Sequence, residues 1–213
     1  MNPTALTDKA FHRAVTVLGR QDPDLANIVS RWGRPPFWRH ASGFSGLVAA
    51  ILAQQVSLES ARSVLNKLMQ AIGPVNPEGF LALDDAALRA MGFSRQKAMY
   101  VRGLAHAIQT GEIDPDALAY LTNADVRKRL MEIKGIGTWT ADTYLLFSLR
   151  RPDAWPSGDL ALAKAIQEVR GLARKPDWED VDSIAGDWRP WRAVAARILW
   201  HHYLCERGRT VPL

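Results

Sequence analysis

The residues of this sequence that could do chemistry concentrate in one stretch, from about residue 133 to residue 164. Gly135 and Gly137 lie one residue apart between two runs with helical periodicity. Glycine tolerates positive φ and lets another backbone come close, so this turn can expose consecutive N–H groups where the next helix starts. That end of a helix also carries positive partial charge, which suits a phosphate. We predict that the turn binds a nucleic-acid backbone; an ordinary glycine-rich helix connection is the alternative.

An acidic residue, Asp159, follows a Pro-Ser-Gly turn a short distance downstream of the two glycines. It precedes an apolar run with helical spacing, so the simplest role for its side chain is that of a helix N-cap, worth about 1 kcal/mol. The sharper interpretation is that the glycine turn grips the nucleic acid and Asp159 carries the reaction. Three further acids are weaker candidates for that role: Asp153, Asp142 and Glu168.

Two other groups of polar residues are compatible with contacts to nucleic acid. Gln54 and Gln55 lie side by side at a junction between two predicted helices, where buried amides would need partners. They form either a solvated junction or a pair of amides presented to a DNA groove or gap. A later helix carries basic residues in its first half, which are either phosphate contacts or a solvated face: Arg95, Lys97 and Arg102.

Composition narrows the class of protein. The chain has 213 residues and eight tryptophans. Its formal net charge of +5 weakly favours a polyanionic partner. Its single cysteine, Cys205, excludes a disulfide framework and four-cysteine zinc or iron–sulfur sites. His201 and Cys205 can share a helix face, but two ligands are too few for zinc. We expect no signal peptide, no membrane span and a cytoplasmic protein.

The elements that position these residues are predicted to be helices, because no segment combines strand alternation with hairpin signals. Periodicity and capping signals predict helices over about 8–18, 22–32, 43–55, 57–72, 77–82, 84–91, 94–110, 123–132, 138–149, 159–170, 177–185 and 190–205. Thr7 and Asp22 are predicted N-caps, and Thr122 with Asp125 resembles a capping box. The predicted fold class is all-α.

Four motifs, in this order, resemble the helix–hairpin–helix (HhH-GPD) DNA glycosylase superfamily, most closely its AlkA-like 3-methyladenine DNA glycosylase II group. They occupy residues 43–57 (GFSGLVAAILAQQVS), 92–104 (GFSRQKAMYVRGL), 133–147 and 156–164 (PSGDLALAK). The resemblance covers roughly residues 35–205. It implies one catalytic domain made of two helical lobes with a cleft between them. One lobe would be continuous over 43–150, with the hairpin at 133–138, and the other would combine 1–42 with 151–213, without the N-terminal α/β domain of larger members.

The resemblance implies a monofunctional DNA glycosylase for alkylated purines of the 3-methyladenine and 7-methylguanine type. Such an enzyme flips the base out of double-stranded DNA, hydrolyses the N-glycosidic bond and leaves an abasic site. Asp159 would be the catalytic carboxylate, stabilising positive charge on the sugar. We expect a monomer that requires no cofactor and works in base excision repair. The alternative is a non-catalytic helix–hairpin–helix DNA-binding protein, which would need neither Asp159 nor a tryptophan pair.

Trp139 decides the subclass that the resemblance implies. Relatives that also nick the strand carry at this position a lysine that forms a Schiff base, whereas tryptophan cannot be a nucleophile. This substitution, with the single cysteine, argues against an iron–sulfur glycosylase/lyase of the endonuclease III type. Trp139 and Trp200 would be walls of the base pocket; the alternative for both, and more so for Trp200, is a place in the core. The pocket position that is aromatic in some relatives is Thr143 here.

The resemblance also assigns roles to the turn and to the glutamines. Backbone N–H groups of the hairpin would hold phosphates, with the hairpin formed by Lys134, Gly135, Gly137 and Thr138. Gln55 aligns with the wedge that fills the gap left by the flipped base, and Gln54 is the second choice. The hairpin often binds Na⁺ or K⁺ through backbone carbonyls, which here would belong to Met131, Ile133 and Ile136.

Overall fold

A computed structural model of the chain describes residues 5–209, and no strand occurs among them. Twelve α-helices and one 3₁₀ turn at Ala117–Tyr120 account for the described secondary structure. In chain order the helices are α1 (Asp8–Gln21), α2 (Pro23–Trp32), α3 (Gly43–Leu52), α4 (Leu58–Ile72), α5 (Pro77–Leu81), α6 (Asp85–Met91), α7 (Arg95–Gln109), α8 (Asn123–Met131), α9 (Thr138–Phe147), α10 (Leu160–Val169), α11 (Trp178–Gly186) and α12 (Arg192–Cys205). The all-α prediction is confirmed.

These helices group into two compact units. The first unit is His40–Leu149, and the second combines residues 5–39 with residues 150–209. Within residues 5–209, no helix has the combination of length and apolarity that a membrane span needs.

Helix α3 is the centre of the first unit, where it packs against α4, α7 and α9. Leu47, Val48 and Ile51 on this helix are fully buried. Each such side chain contributes about 1.5–3 kcal/mol relative to an exposed position. Helices α8 and α9 pack against each other and form the predicted hairpin pair, joined by residues 132–137.

Helix α12 has the corresponding role in the second unit, where it packs against α1, α2, α10 and α11. Its residues from Ala193 to Leu199 are all buried, including Arg197, whose guanidinium donates to the backbone carbonyls of Ala193 and Trp38. Burial lowers the pKa of Arg197 to about 9. Helix α10 lays Leu162, Ala163 and Ile166 into this core, which fixes the helix that begins directly after Asp159.

A departure of three residues from the predicted helix boundaries occurs at the end of α3, which stops early. The helix predicted over about 43–55 ends at Leu52, and residues 53–57 form a separate junction before α4. The Nζ of Lys97 on α7 donates to the backbone carbonyls of Leu52 and Gln54 at 2.6 and 2.9 Å. These carbonyls lie at the C-terminal end of α3, where carbonyl groups have no N–H partner within the helix. The lysine therefore stabilises the end of α3 at this point.

Candidate functional site

The residues predicted to do chemistry fall into two groups, one in each compact unit. The hairpin, the glutamine junction, Trp139 and Thr143 belong to His40–Leu149. Asp159 and Trp200 belong to the second unit, at the start of α10 and on α12. The geometry of each group can therefore be described separately.

The hairpin turn presents the N-terminus of α9. Gly137 is its N-cap in extended backbone, with φ −97° and ψ −179°, and glycine has no side chain with which to cap the following N–H groups. A short ion pair joins the two helices, because Arg127 Nε on α8 lies 2.6 Å from Asp142 Oδ1 on α9. The Asp142 side chain is nearly buried, so this pair fixes the hairpin angle from inside. The first turn of α9 is thus held rigidly with its N–H groups at one end.

The two glycines of the turn differ in whether the fold requires them. Gly135 has φ +92°, and a Cβ added there would lie 2.2 Å from Cγ of the Tyr100 ring. Both the backbone conformation and the close ring demand glycine at this position. A Cβ added at Gly137 would meet no protein atom within 4 Å, and its φ is one that any residue adopts. Nothing in the part of the chain that the structure describes needs the open space beside Gly137, so only a group approaching from outside would need it.

The glutamine junction divides its two amides between the interior and the surface. Gln54 Nε2 donates to the carbonyl of Gly135 at 2.8 Å and to Thr140 Oγ1 at 2.9 Å, so it buttresses the hairpin. Gln55 is exposed and has φ +55°, a left-handed conformation that is uncommon outside glycine. Such backbone strain clusters at functional sites. The fold therefore commits Gln54 to the hairpin and presents Gln55 to solvent.

Asp159 is the N-cap of α10, as its sequence context predicts, and its carboxylate has a second donor. Oδ1 accepts the backbone N–H of Leu162 at 2.9 Å and the indole N–H of Trp200 at 3.2 Å. The residue is only 9% exposed. Two N–H donors, one from its own helix and one 41 residues away on α12, orient one carboxylate oxygen. Capping and chemistry are therefore not exclusive roles for this side chain.

The three weaker acidic candidates are each paired with an arginine. Asp153 receives two hydrogen bonds of 2.8 Å from Arg192, one to each carboxylate oxygen. Glu168 lies 2.8 Å from Arg207, whose hydrogen bond lowers the pKa of that carboxyl. Asp142 has its arginine across the hairpin. These charges are used in structural ion pairs, which disfavours all three acids for chemistry.

A family model described as HhH-GPD superfamily base excision DNA repair protein matches residues 48–190, a range that includes the hairpin and Asp159. The chain belongs to the HhH-GPD superfamily. The predicted resemblance is confirmed.

Named relatives agree with this membership. The chain is 30% identical over 201 residues to DNA-3-methyladenine glycosylase 1 of Schizosaccharomyces pombe, covering 92% of this chain and 87% of the relative. A solved structure of the Schizosaccharomyces pombe 3-methyladenine DNA glycosylase Mag1 in complex with abasic DNA superposes with a TM-score of 0.81 at 28% identity, covering 88% of this chain and 95% of that one. YfjP of Bacillus subtilis is 29% identical over 83% of this chain, which spans 64% of its length.

The predicted pocket residues of this HhH-GPD chain differ in how much surface they offer. Trp139 is half-buried in the first turn of α9, and Trp200 is half-buried on α12. Thr143 is buried, and its hydroxyl donates to the carbonyl of Thr140 at 2.9 Å within its own helix. That hydroxyl uses its one proton within the helix, so Thr143 has no O–H donor left for a ligand.

Sequence reasoning missed three contacts that hold these groups. The Lys97 ammonium stabilises the glutamine junction from α7, and Arg127 ties the hairpin helices together. The third is the hydrogen bond from the Trp200 indole to Asp159. Only the Arg127 pair had a usable signal, since a basic residue on one helix of a predicted hairpin faces an acidic residue on the other.

Proposed function

We propose that this chain is a monofunctional DNA glycosylase that removes alkylated purines from double-stranded DNA and leaves an abasic site. The observation that carries the proposal is the Asp159 carboxylate, oriented by the N–H groups of Leu162 and Trp200 at the start of α10. The substrate class is supported by the names of two relatives whose length this chain covers almost completely. The proposal extends to this chain what those names say of other proteins.

The chemistry follows from how a glycosidic bond breaks. The flipped nucleotide develops positive charge on its sugar as the base departs, and an ionised carboxylate stabilises that charge. Asp159 serves this role best when one oxygen is already fixed, because a preorganised charge needs no reorganisation in the transition state. The same carboxylate can orient the water that attacks the anomeric carbon. The base leaves, a hydroxyl from water takes its place, and the phosphate backbone stays intact.

We assign two effects to the tryptophans: the choice of the base that is removed, and the end of the reaction at an abasic site without strand cleavage. A purine alkylated at N3 or N7 is cationic, and stacking it on an indole face is a cation–π contact worth about 0.5–2 kcal/mol. Trp139 and Trp200 are the walls that we assign to this contact. Trp139 also stands where a lyase would need its lysine, so no Schiff base forms and no strand is nicked.

The first unit supplies the grip on DNA. We assign phosphate binding to the hairpin, with N–H groups from Gly135, Gly137 and Thr138 and a positive charge from exposed Lys134. Gln55, exposed and held in left-handed backbone, is assigned to fill the gap left by the flipped base. Gln54, the second choice for that role, is engaged with the hairpin itself, which favours Gln55.

We also propose that the hairpin backbone binds a monovalent cation as a structural ion. Carbonyl oxygens are suitable ligands, and we assign those of Met131, Ile133 and Ile136. The Ile133 carbonyl accepts the Ile136 N–H at 3.1 Å, and a carbonyl has a second lone pair for an ion. The buried Ile133 and Ile136 side chains anchor the loop backbone that would carry these oxygens. Such an ion would stiffen the turn that presents the N–H groups.

Release of free bases tests this function. The chain is incubated with duplexes that each carry one lesion (3-methyladenine, 7-methylguanine, 1-methyladenine, ethenoadenine or hypoxanthine), and the released base is identified by mass. We expect release of at least one methylpurine, strand cleavage only after heat or alkali, and no adduct trapped by borohydride. Duplex binding without release of any base would instead support the non-catalytic DNA-binding alternative. A borohydride-trapped adduct would contradict the monofunctional assignment.

A further inference from the structure

The turn that leads to Asp159 is tied to a neighbouring helix by a single carboxylate. Asp182, in the middle of α11, accepts the indole N–H of Trp155 on Oδ1 at 2.9 Å. Its other oxygen, Oδ2, accepts the hydroxyl of Ser157 at 2.5 Å. An exposed acid in mid-helix ordinarily points into solvent, whereas here both oxygens bind the segment directly before Asp159.

The two partners of Asp182 depend on it to different degrees. The Trp155 side chain is 3% exposed and packs on Trp188, with ring centroids 5.7 Å apart, so packing alone holds it near its place. Ser157 is only half-buried, and Gly158 after it has φ +80°, a conformation natural to glycine. The hydrogen bond from the Ser157 hydroxyl is therefore the contact by which Asp182 restrains the less tightly packed half of the turn, Ser157 and Gly158.

The first half of the turn is fixed by packing, because Trp155 and Pro156 are both buried, and the second half depends more on hydrogen bonds. Its backbone makes two hydrogen bonds, from Ser157 N to the Trp155 carbonyl at 3.0 Å and from Asp159 N to the Pro156 carbonyl at 3.3 Å. A shift of Ser157 therefore passes directly to the Cα of Asp159, two residues on. The carboxylate of Asp159 would then lose alignment even if its own cap remained.

We propose that Asp182 is a positioning residue for Asp159, acting through the 155–158 turn. This inference rests on the proposed function, because it concerns the alignment of the carboxylate that does the chemistry. Asp182 binds neither substrate nor reacting atoms in this scheme; it sets where the turn delivers Asp159. Its loss should therefore lower the rate of base release and leave the grip on DNA unchanged.

The test compares Asp182→Ala with Asp180→Ala, which removes the same charge from an exposed position on the same helix. Single-turnover base release is measured on a methylpurine duplex, and affinity is measured on duplexes with two abasic analogues, neutral tetrahydrofuran and cationic pyrrolidine. We expect Asp182→Ala to lower the release rate by about tenfold. A misplacement of about 1 Å can lower a rate by about hundredfold, so a smaller shift of Asp159 is enough for this effect. Tetrahydrofuran affinity should stay unchanged, and the preference for the pyrrolidine cation should fall. Asp180→Ala should match wild type in all three.

A second variant keeps the test decisive if Asp182→Ala folds poorly. Ser157→Ala removes one of the two contacts and should give part of the same rate loss with a normal melting temperature. The double variant should be no slower than Asp182→Ala alone, because Asp182→Ala already removes the contact with Ser157. An active wild type with unchanged rates in Asp182→Ala and Ser157→Ala would overturn the positioning role alone. A wild type that releases no base from any lesion duplex would overturn the proposed function, and the positioning role with it.

Discussion

Replacing each glycine of the hairpin by alanine should separate folding from DNA binding. Gly135→Ala places a Cβ 2.2 Å from the Tyr100 ring and forces alanine to φ +92°. Strained backbone costs about 1–3 kcal/mol and overpacking a further 1–3 kcal/mol or so. We therefore expect the free energy of unfolding to fall by about 2–6 kcal/mol and the melting temperature by on the order of 10 °C. DNA binding by this variant would fall because the turn itself is distorted.

Gly137→Ala should do the reverse. Its Cβ meets no protein atom within 4 Å and its φ is −97°, so the folded state accepts alanine. Stability should change by no more than about 1 kcal/mol, because the lower flexibility of alanine in the unfolded chain opposes its poorer preference for the N-cap position. The methyl group would stand where a phosphate must approach the first N–H groups of α9. Losing a charge-assisted hydrogen bond there, worth about 1.5–3 kcal/mol, weakens binding by about tenfold to hundredfold.

The assay pairs thermal unfolding with fluorescence anisotropy on a labelled duplex that carries a tetrahydrofuran abasic analogue, repeated over a salt series. Gly103→Ala is the matched control, because Gly103 is exposed in the interior of α7 with no atom within 4 Å of its would-be Cβ. It should be slightly stabilised and bind normally. The slope of log affinity against log salt should stay close to that of wild type in both variants, because neither substitution removes a cationic side chain. If Gly137→Ala binds as tightly as Gly103→Ala, the N-terminus of α9 is not a phosphate site.

The remaining predictions concern the groups behind the site. Trp200→Phe keeps a ring but removes the N–H that binds Asp159. Single-turnover base release should therefore slow by about tenfold, while affinity for the abasic product stays unchanged. An unchanged release rate would count against a role for this contact. Lys97→Met removes the ammonium that donates to the carbonyls of Leu52 and Gln54. The free energy of unfolding, measured by denaturant titration, should fall by about 1–3 kcal/mol. Wild-type stability would contradict the role of Lys97 in holding the glutamine junction. Burial lowers the pKa of His202, so the folded state binds a proton less readily than the unfolded state. Stability should therefore drop as pH falls through the unfolded pKa of about 6.5, and the wild-type minus His202→Gln difference, measured at pH 7.5 and 5.5, should reveal it; a pH-independent difference would refute this.

The helices of this chain were predictable because their signals are local. Thr7 accepts the N–H of Ala10, and Asp22 accepts two N–H groups in the first turn of α2, as the cap predictions required. Thr122 accepts the N–H of Asp125 and donates to its carboxylate, so the capping-box prediction is confirmed in its first half. Caps and periodicity involve residues three or four apart, which a single sequence displays directly.

The site was predictable in its residue types but not in its contacts. Asp159 could be chosen from its motif, yet its hydrogen bond with Trp200 spans 41 residues. Gln54 and the Gly135 carbonyl are 81 residues apart, so no local pattern could show that one glutamine buttresses the hairpin while its neighbour faces out. Such pairings depend on how whole helices pack, and helix packing is set by many side chains together.

Single-turnover release of a methylpurine by Asp159→Asn tests the central claim most directly. Asparagine can keep the cap and the hydrogen bonds to Leu162 and Trp200 but has no negative charge to stabilise the sugar. The matched control is Asp153→Asn, which removes a carboxylate already paired with Arg192. We predict that Asp159→Asn binds the abasic duplex like wild type and releases base at least about hundredfold more slowly, whereas Asp153→Asn stays close to wild type after correction for its folded fraction. Release by Asp159→Asn at the wild-type rate would contradict the assignment of Asp159 as the catalytic residue.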